Sequence, residues 1–286
     1  MSNAAASVRA RLLNVAKAQG VDFNQVLVRF ALERILYRLS RSEHADHFLL
    51  KGALLFTLWY DMPHRATRDA DLLGIGASDL ESVVQTFRGI ASVVVDDGIV
   101  FDPASVAAEE IRKDAGYVGV RILISGELAK ARCKVQIDIG FGDAVTPAPV
   151  EATYPVLLAD LPAPRLRTYP MYTVVAEKVH AIALLGMVNS RMKDYLDLSV
   201  LLDRETLDID LLSQALKATF DRRGMSIPAE LPVGLTDEFA NDPSRQALWQ
   251  AFIRRNELAP DPLPAVVERL RIALRAALSR AVDSKP

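Results

Sequence analysis

Residues 48–74 read FLLKGALLFTLWYDMPHRATRDADLLG. The stretch has two parts. Lys51-Gly52-Ala53 opens an apolar run through Leu54, Leu55, Phe56, Leu58 and Trp59, and Thr67-Arg68-Asp69-Ala70-Asp71 then runs into Leu72-Leu73. On a strand, residues two apart project from the same face, so Asp69 and Asp71 share one. Carboxylates held that close repel each other unless a cation lies between them. Mg²⁺ takes oxygen ligands, usually one or two carboxylates together with substrate phosphates. The stretch therefore reads as a glycine turn that starts a helix, followed by a strand with a candidate metal pair.

A second segment answers the first. Cys133-Lys134-Val135-Gln136-Ile137-Asp138-Ile139 alternates with period two: Val135, Ile137 and Ile139 form one face, and Lys134, Gln136 and Asp138 the other. If this strand lies next to the Asp-x-Asp strand, Asp138 stands beside Asp69 and Asp71. Three carboxylates around two metal ions suit an in-line displacement at phosphorus. Asp143, after Gly140-Phe141-Gly142, is a lesser candidate for the site and reads as a turn residue.

Composition sets the frame. The chain has 286 residues, 50% hydrophobic and 24% charged, enough for one large or two ordinary globular domains. The single cysteine, Cys133, excludes an intramolecular disulfide and a cysteine zinc cluster. The opening Met1-Ser2-Asn3-Ala4-Ala5-Ala6 lacks the basic and apolar regions of a secretory signal. No apolar run is read as long enough to span a membrane, so a cytoplasmic protein without membrane contact is expected. A net charge of −2 argues against nucleic-acid binding through overall charge, though a local basic groove needs only clustered Lys and Arg.

Along the chain, Ser7–Ser40 is expected as two helices, broken at Gly20 and restarted from Asp22 or Asn24. The second presents Val26, Phe30, Ile35, Leu36 and Leu39 to a core, with Glu33, Arg34, Arg38 and Arg41 on its wet side. His44 and His47 read as surface or capping residues. A helix follows Ser78, Val100–Ile111 is extended, Tyr117–Ile124 is a strand, and Gly126–Lys130 connects it to Arg132–Ile139. The proline-rich run 146–170 is a connection with one short strand near Val156–Leu158; here domain 1–165 gives way to a helical domain, 166–286. In the latter, helices are expected at Tyr172–Gly186, from Arg191, at Leu211–Phe220, at Arg245–Asn256 and at Pro264–Ala281, with a polar loop after Glu238. Asp194 and Asp197 fall on one helical face with Arg191 three residues before. Arg269, Arg271, Arg275 and Arg280 coat the last helix and read as a solvated face rather than an RNA contact.

The glycine turn followed by an Asp-x-Asp strand resembles nucleotidyltransferases of the polymerase-beta type. Four segments narrow the resemblance: Lys51-Gly52-Ala53, Thr67–Asp71, Ala176-Glu177-Lys178-Val179-His180-Ala181, and Arg191-Met192-Lys193-Asp194-Tyr195-Leu196-Asp197-Leu198. Together with Thr219–Gly224 they resemble AbiEii-type nucleotidyltransferase toxins of type IV toxin–antitoxin pairs, over roughly residues 24–255. The chain departs from that family's pattern at Ala53, where a hydroxyl residue is usual.

The resemblance implies an α+β fold: a polymerase-beta-type nucleotidyltransferase domain with a mixed sheet, joined to a helical C-terminal domain. It implies Mg²⁺, an NTP co-substrate, an RNA acceptor such as a tRNA 3′ end, and a cognate antitoxin. It assigns Asp69 and Asp71 to the metal, with Asp138 added from the strand pattern. Lys51 and Gly52 of the turn fall at the nucleotide, and backbone N–H groups at the helix start bind phosphate. Thr67 takes the place of a hydroxyl residue, Lys178 contacts the triphosphate, and Asp194 is the second domain's catalytic acid, either as general base or as orienting partner of Lys178. Arg68, Arg191 and Lys193 are candidates for phosphate or RNA contacts. Two rival readings are transfer to a small-molecule acceptor and a catalytically inactive binding module of the same fold.

Overall fold

A computed structural model of the chain describes residues 3–60, 67, 69–112 and 118–283. The chain divides into two compact units: Met1–Gly142 with Val150–Thr168, and Asp143–Pro149 with Tyr169–Pro286.

The first unit opens with α1 (Asn3–Gln19) and α2 (Phe23–Ser40). Asp22 caps α2 by accepting from the Asn24 N–H, which satisfies one of the donors a helix start leaves open. Then follow β1 (Phe48–Lys51), α3 (Leu54–Tyr60), β2 (Asp69–Gly74), α4 (Leu80–Ser92), β3 (Ile99–Phe101), β4 (Ala107–Arg112), β5 (Val118–Leu128), β6 (Ala131–Phe141), β7 (Val150–Thr153) and β8 (Arg165–Thr168). The strands form one mixed sheet, ordered β3-β5-β6-β2-β1-β8-β7, with β4 also paired to β5. Adjacent β2 and β6 run parallel; β1–β2 and β5–β6 run antiparallel. Period-two alternation gives the sheet an apolar face of Ala70, Leu72, Ile122, Ile124, Val135, Ile137 and Ile139, all buried, and α2 packs against β6.

Three expectations change here. The link between β5 and β6 is only two residues, Ala129 and Lys130, both at positive φ (45° and 69°), so Gly126 and Glu127 remain in the strand. Such a turn favours Asn-Gly, and neither residue here is of that kind. The short strand expected at Val156–Leu158 is absent; the strands of that region are β7 and β8, which pair with each other. Val100–Ile111, expected as extended, falls within β3 and β4 with a helical turn at Pro103–Ser105 between them. Finally, Glu33, Arg34 and Arg38 do not form a wet side. They are buried, because loop 157–162 and the segment 93–99 close over α2: Leu157 N–H donates to Glu33, Arg34 donates to the Pro162 carbonyl, and Arg38 reaches Asp97 with bonds of 2.7 and 3.1 Å. Burial raises the Glu33 carboxyl above its usual pKa against the lowering pull of Arg34.

The second unit is helical: α5 (Met171–Leu185), α6 (Met192–Arg204), α7 (Ile209–Arg222), α8 (Asp237–Asn241), α9 (Pro243–Arg255) and α10 (Leu263–Asp283). α8 falls where a polar loop was expected. Thr236 caps it, and Phe239 and Ala240 are buried, so two adjacent apolar residues anchor a turn of helix in a polar stretch. α5 packs on α7, and α10 on α6 and α7. By length and composition alone, Met171–Val188 is apolar enough to cross a membrane, contrary to the expectation that no run reaches that length. Its Val175, Val179 and Ile182 are fully buried, and it carries Glu177, Lys178 and His180 into polar contacts, which makes it the central helix of this unit.

Removing one partner of a buried ion pair leaves an uncompensated charge, at a cost of about 3–5 kcal/mol. Asp97→Ala strands the Arg38 guanidinium beneath β3, so its urea unfolding midpoint should fall by that much stability, whereas Asp96→Ala, next door and exposed, should leave it unchanged.

Candidate active site

Strand register sets the first cluster. Lys51 of β1 is the cross-strand partner of Asp71, Asp71 of Asp138, Asp138 of Arg121, and Arg121 of Glu109 on β4. Directly paired residues point to one face of a sheet. The result is a row of charged side chains across five strands, in the order Glu109, Arg121, Asp138, Asp71, Lys51. Asp69 stands on the same face two residues before Asp71. Asp138 and Lys51 are buried, while Asp69 and Asp71 are partly exposed.

Each member is held in a defined way. Arg121 donates to both Asp138 oxygens, Nε to Oδ1 and Nη2 to Oδ2, at 2.9 Å each, and Gln136 Nε2 adds a bond of 3.2 Å to Oδ1. Glu109 lies 3.7 Å from Arg121. The Arg121 guanidinium is raised further above its usual pKa, chiefly by its bond to Asp138 and in smaller part by the charges of Glu109 and Asp69. Thr67 Oγ1 donates to Asp69 Oδ1 at 2.8 Å. Gly52 has φ of +74°, and a Cβ there would meet Asp71 Oδ2 at 2.2 Å. The glycine thus serves two needs: a left-handed backbone after β1, and the space that the Asp71 carboxylate fills. Arg68 lies outside the described residues.

The second cluster joins α5 to α6. Lys178 Nζ donates to Asp194 Oδ1 at 2.9 Å and to Asp197 Oδ2 at 2.6 Å, and Arg191 Nε donates to Asp194 Oδ2 at 2.6 Å. Both carboxylates are 1% exposed. Burial alone would raise the Asp194 carboxyl, yet the charges of Lys178 and Arg191 outweigh it and hold Asp194 below the usual carboxylate range. The four charges cancel, which is what permits two buried carboxylates. Lys193, on the same turn, is exposed.

One turn away, Arg223 donates to Asp143 at 3.0 Å and lies 3.2 Å from Glu177. Asp143, read from sequence as a turn residue, is therefore an ion-pair partner of α7. Arg223 Nη1 also lies 3.3 Å from Nδ1 of buried His180, whose Nε2 has no hydrogen-bond partner among the described residues. Burial first, and then the Arg223 charge, lower the His180 pKa to about 4.

Among the described residues, no three His, Cys, Asp or Glu side chains are gathered so as to hold a metal ion. Asp69 and Asp71 nevertheless fit a hard divalent cation: both are oxygen donors on one face, partly exposed, and a glycine clears the space beside one of them. Three of the α10 arginines are held in ion pairs. Arg269 pairs with Asp261, Arg271 with Asp237 and Glu268, and Arg280 with Asp210. Sequence reading missed Arg121. Its position opposite Asp138 follows from the two-residue turn, which was not legible as one. Asp197's tie to Lys178 was readable only as a shared helical face with Asp194.

A mixed sheet with helices, joined to a helical unit, is an α+β fold of the nucleotidyltransferase kind. The chain belongs to the AbiEii family: the description "Nucleotidyl transferase AbiEii toxin, Type IV TA system" matches residues 34–280. Among solved structures it is similar to JHP933 from Helicobacter pylori, with 16% identity, a TM-score of 0.48, and 87% of this chain and 89% of that one covered. A second H. pylori structure, of a candidate nucleotidyltransferase, gives the same identity, TM-score and coverage of this chain, and 92% of its own. Comparison with curated proteins gives no match.

Gly52→Ala sets a methyl group against Asp71 and a side chain at positive φ; it should destabilise the chain by roughly 1–3 kcal/mol in urea unfolding. Gly20→Ala, also at positive φ but in open space, should cost less. His180 gives a pH signature. Its folded-state pKa lies below the ordinary 6.5, so the unfolded chain takes up the proton first as pH falls. Stability is then complete above pH 6.5 and declines by about 3 kcal/mol on the way to pH 4. His180→Leu should flatten that part of a stability–pH curve measured by urea unfolding.

Proposed function

We propose that this AbiEii-family chain transfers a nucleoside monophosphate from an NTP to the 3′-hydroxyl of an RNA, with a tRNA acceptor end as substrate and Mg²⁺ as the cation. The observation that carries this reading is the register that sets Asp71 beside Asp138, with Asp69 on the same face and Gly52 leaving room for Asp71. Asp69 and Asp71 would hold the cation, which when bound would lower the pKa of the attacking hydroxyl and offset phosphate charge. Thr67 orients Asp69 through its 2.8 Å bond. Lys51 and Gly52 form the turn beside the nucleotide.

In the reaction, the hydroxyl oxygen bonds to the α-phosphorus, the bond from that phosphorus to the β-bridging oxygen breaks, and pyrophosphate departs. The hydroxyl proton is lost to water. Lys178 contributes positive charge toward the triphosphate. Asp194 acts as its orienting partner rather than as a general base: one oxygen accepts from Lys178, the other from Arg191, and its pKa is held low. Arg191 and Lys193 are phosphate or RNA contacts. The antitoxin partner follows from the family, and the cytoplasm is the matching compartment.

The test incubates the full chain with each labelled NTP and Mg²⁺, offering total RNA, purified tRNA and small-molecule acceptors in turn. Label should enter tRNA. Asp69→Asn should reduce incorporation by at least about 100-fold with an unchanged circular dichroism spectrum, and Lys178→Arg, which keeps charge but alters reach, should also reduce it. Incorporation only into a small molecule would replace the RNA acceptor; none with any acceptor would leave a binding module.

A further inference from the structure

The ladder that builds the site also limits how many cations it takes. One of the three carboxylates on its face, Asp138, is already engaged. Both its oxygens accept from Arg121 in a side-on, two-point pair, and Gln136 adds a third bond. Charge-assisted bidentate pairs of this kind are among the stronger polar contacts in proteins and fix geometry as well as charge. Arg121 is fixed from its other side by Glu109. A divalent cation on Asp138 would have to break these bonds or stand against a guanidinium. Asp69 stands opposite the neutral Gln136, and its Oδ1 accepts from the neutral Thr67 hydroxyl.

We propose that Arg121 supplies the positive charge a second metal ion would bring, so that the site takes one divalent cation, at Asp69 and Asp71, and Asp138 anchors Arg121 instead of ligating metal. The inference deepens the proposed nucleotidyl transfer and rests on that reading. It makes Arg121 a positioning and charge-supplying residue that the carboxylate motif does not reveal.

The test counts ions without asking for turnover. Mn²⁺ is titrated into the full chain in the presence of each of the four α,β-methylene ribonucleoside triphosphates and followed by electron paramagnetic resonance. A lone protein-held Mn²⁺ keeps its isolated spectrum, whereas two neighbouring ions give a spin-coupled one. The wild type should show only isolated Mn²⁺, and Asp138→Asn should match it. Arg121→Gln should free Asp138 and produce the coupled signal, and the double variant Arg121→Gln/Asp138→Asn should lose it again. A coupled signal in the wild type that disappears in Asp138→Asn overturns the inference and leaves the transfer reading standing. An Arg121→Gln chain that stays folded by circular dichroism and still shows only isolated Mn²⁺ overturns it as well. A wild type that immobilises no Mn²⁺ with any of the four overturns the inference together with the reading beneath it.

Discussion

The antiparallel and parallel pairings around β2 are the constraint on which the first unit's chemistry depends. Because side chains alternate with period two, a slip of one residue in any of them would turn Asp71, Asp138 or Arg121 toward the apolar core. The core face prevents that slip. Ala70 against Ile137, Leu72 against Ile139 and Ile122 against Ile137 are buried pairs whose misplacement would expose hydrocarbon and bury charge together. The hydrophobic effect on one side of the sheet therefore aligns electrostatics on the other. A charged row needs no separate device to hold it in place.

Charge balance recurs in the second unit by different means. There a helix face, not a strand register, gathers Asp194 and Asp197, and Lys178 and Arg191 come to meet them. Both clusters set buried or half-buried carboxylates against cations on neighbouring elements. They differ in what remains over. Lys178, Arg191, Asp194 and Asp197 sum to zero. The row of Glu109, Arg121, Asp138, Asp71 and Lys51, taken with Asp69, carries two more negative charges than positive ones.

Much of this was legible in the sequence, for physical reasons. The alternation at Cys133–Ile139 gave the strand and the side on which Asp138 lies, and the Asp-x-Asp spacing gave the shared face of Asp69 and Asp71. Motif resemblance picked out Lys178 and Asp194 as a pair before any distance was known. What was hidden depended on partners far along the chain. Arg121 could be placed opposite Asp138 only through a turn built from Ala129 and Lys130, which carry no glycine or asparagine to announce it. Glu33, Arg34 and Arg38 have the spacing of a solvated face, and only the packing of loop 157–162 and segment 93–99 over them makes them interior. α8 was hidden because two adjacent residues, Phe239 and Ala240, and not a periodic stripe, hold it.

The division of the chain has a consequence for its modularity. Asp143–Pro149 lies with the helical unit, although the segments on both sides of it lie with the sheet. It is fastened there by Asp143 to Arg223 and by reciprocal bonds between Thr146 and Thr173, each 2.9 Å. The polypeptide thus passes from one unit to the other three times. No single cut yields both pieces whole: a helical fragment begun at Tyr169 would lack its seven-residue strap and leave Arg223 short of a carboxylate. Recombination that exchanged helical halves among relatives at one crossover would inherit the same defect, so the two units are bound to travel, and to diverge, as a single heritable block.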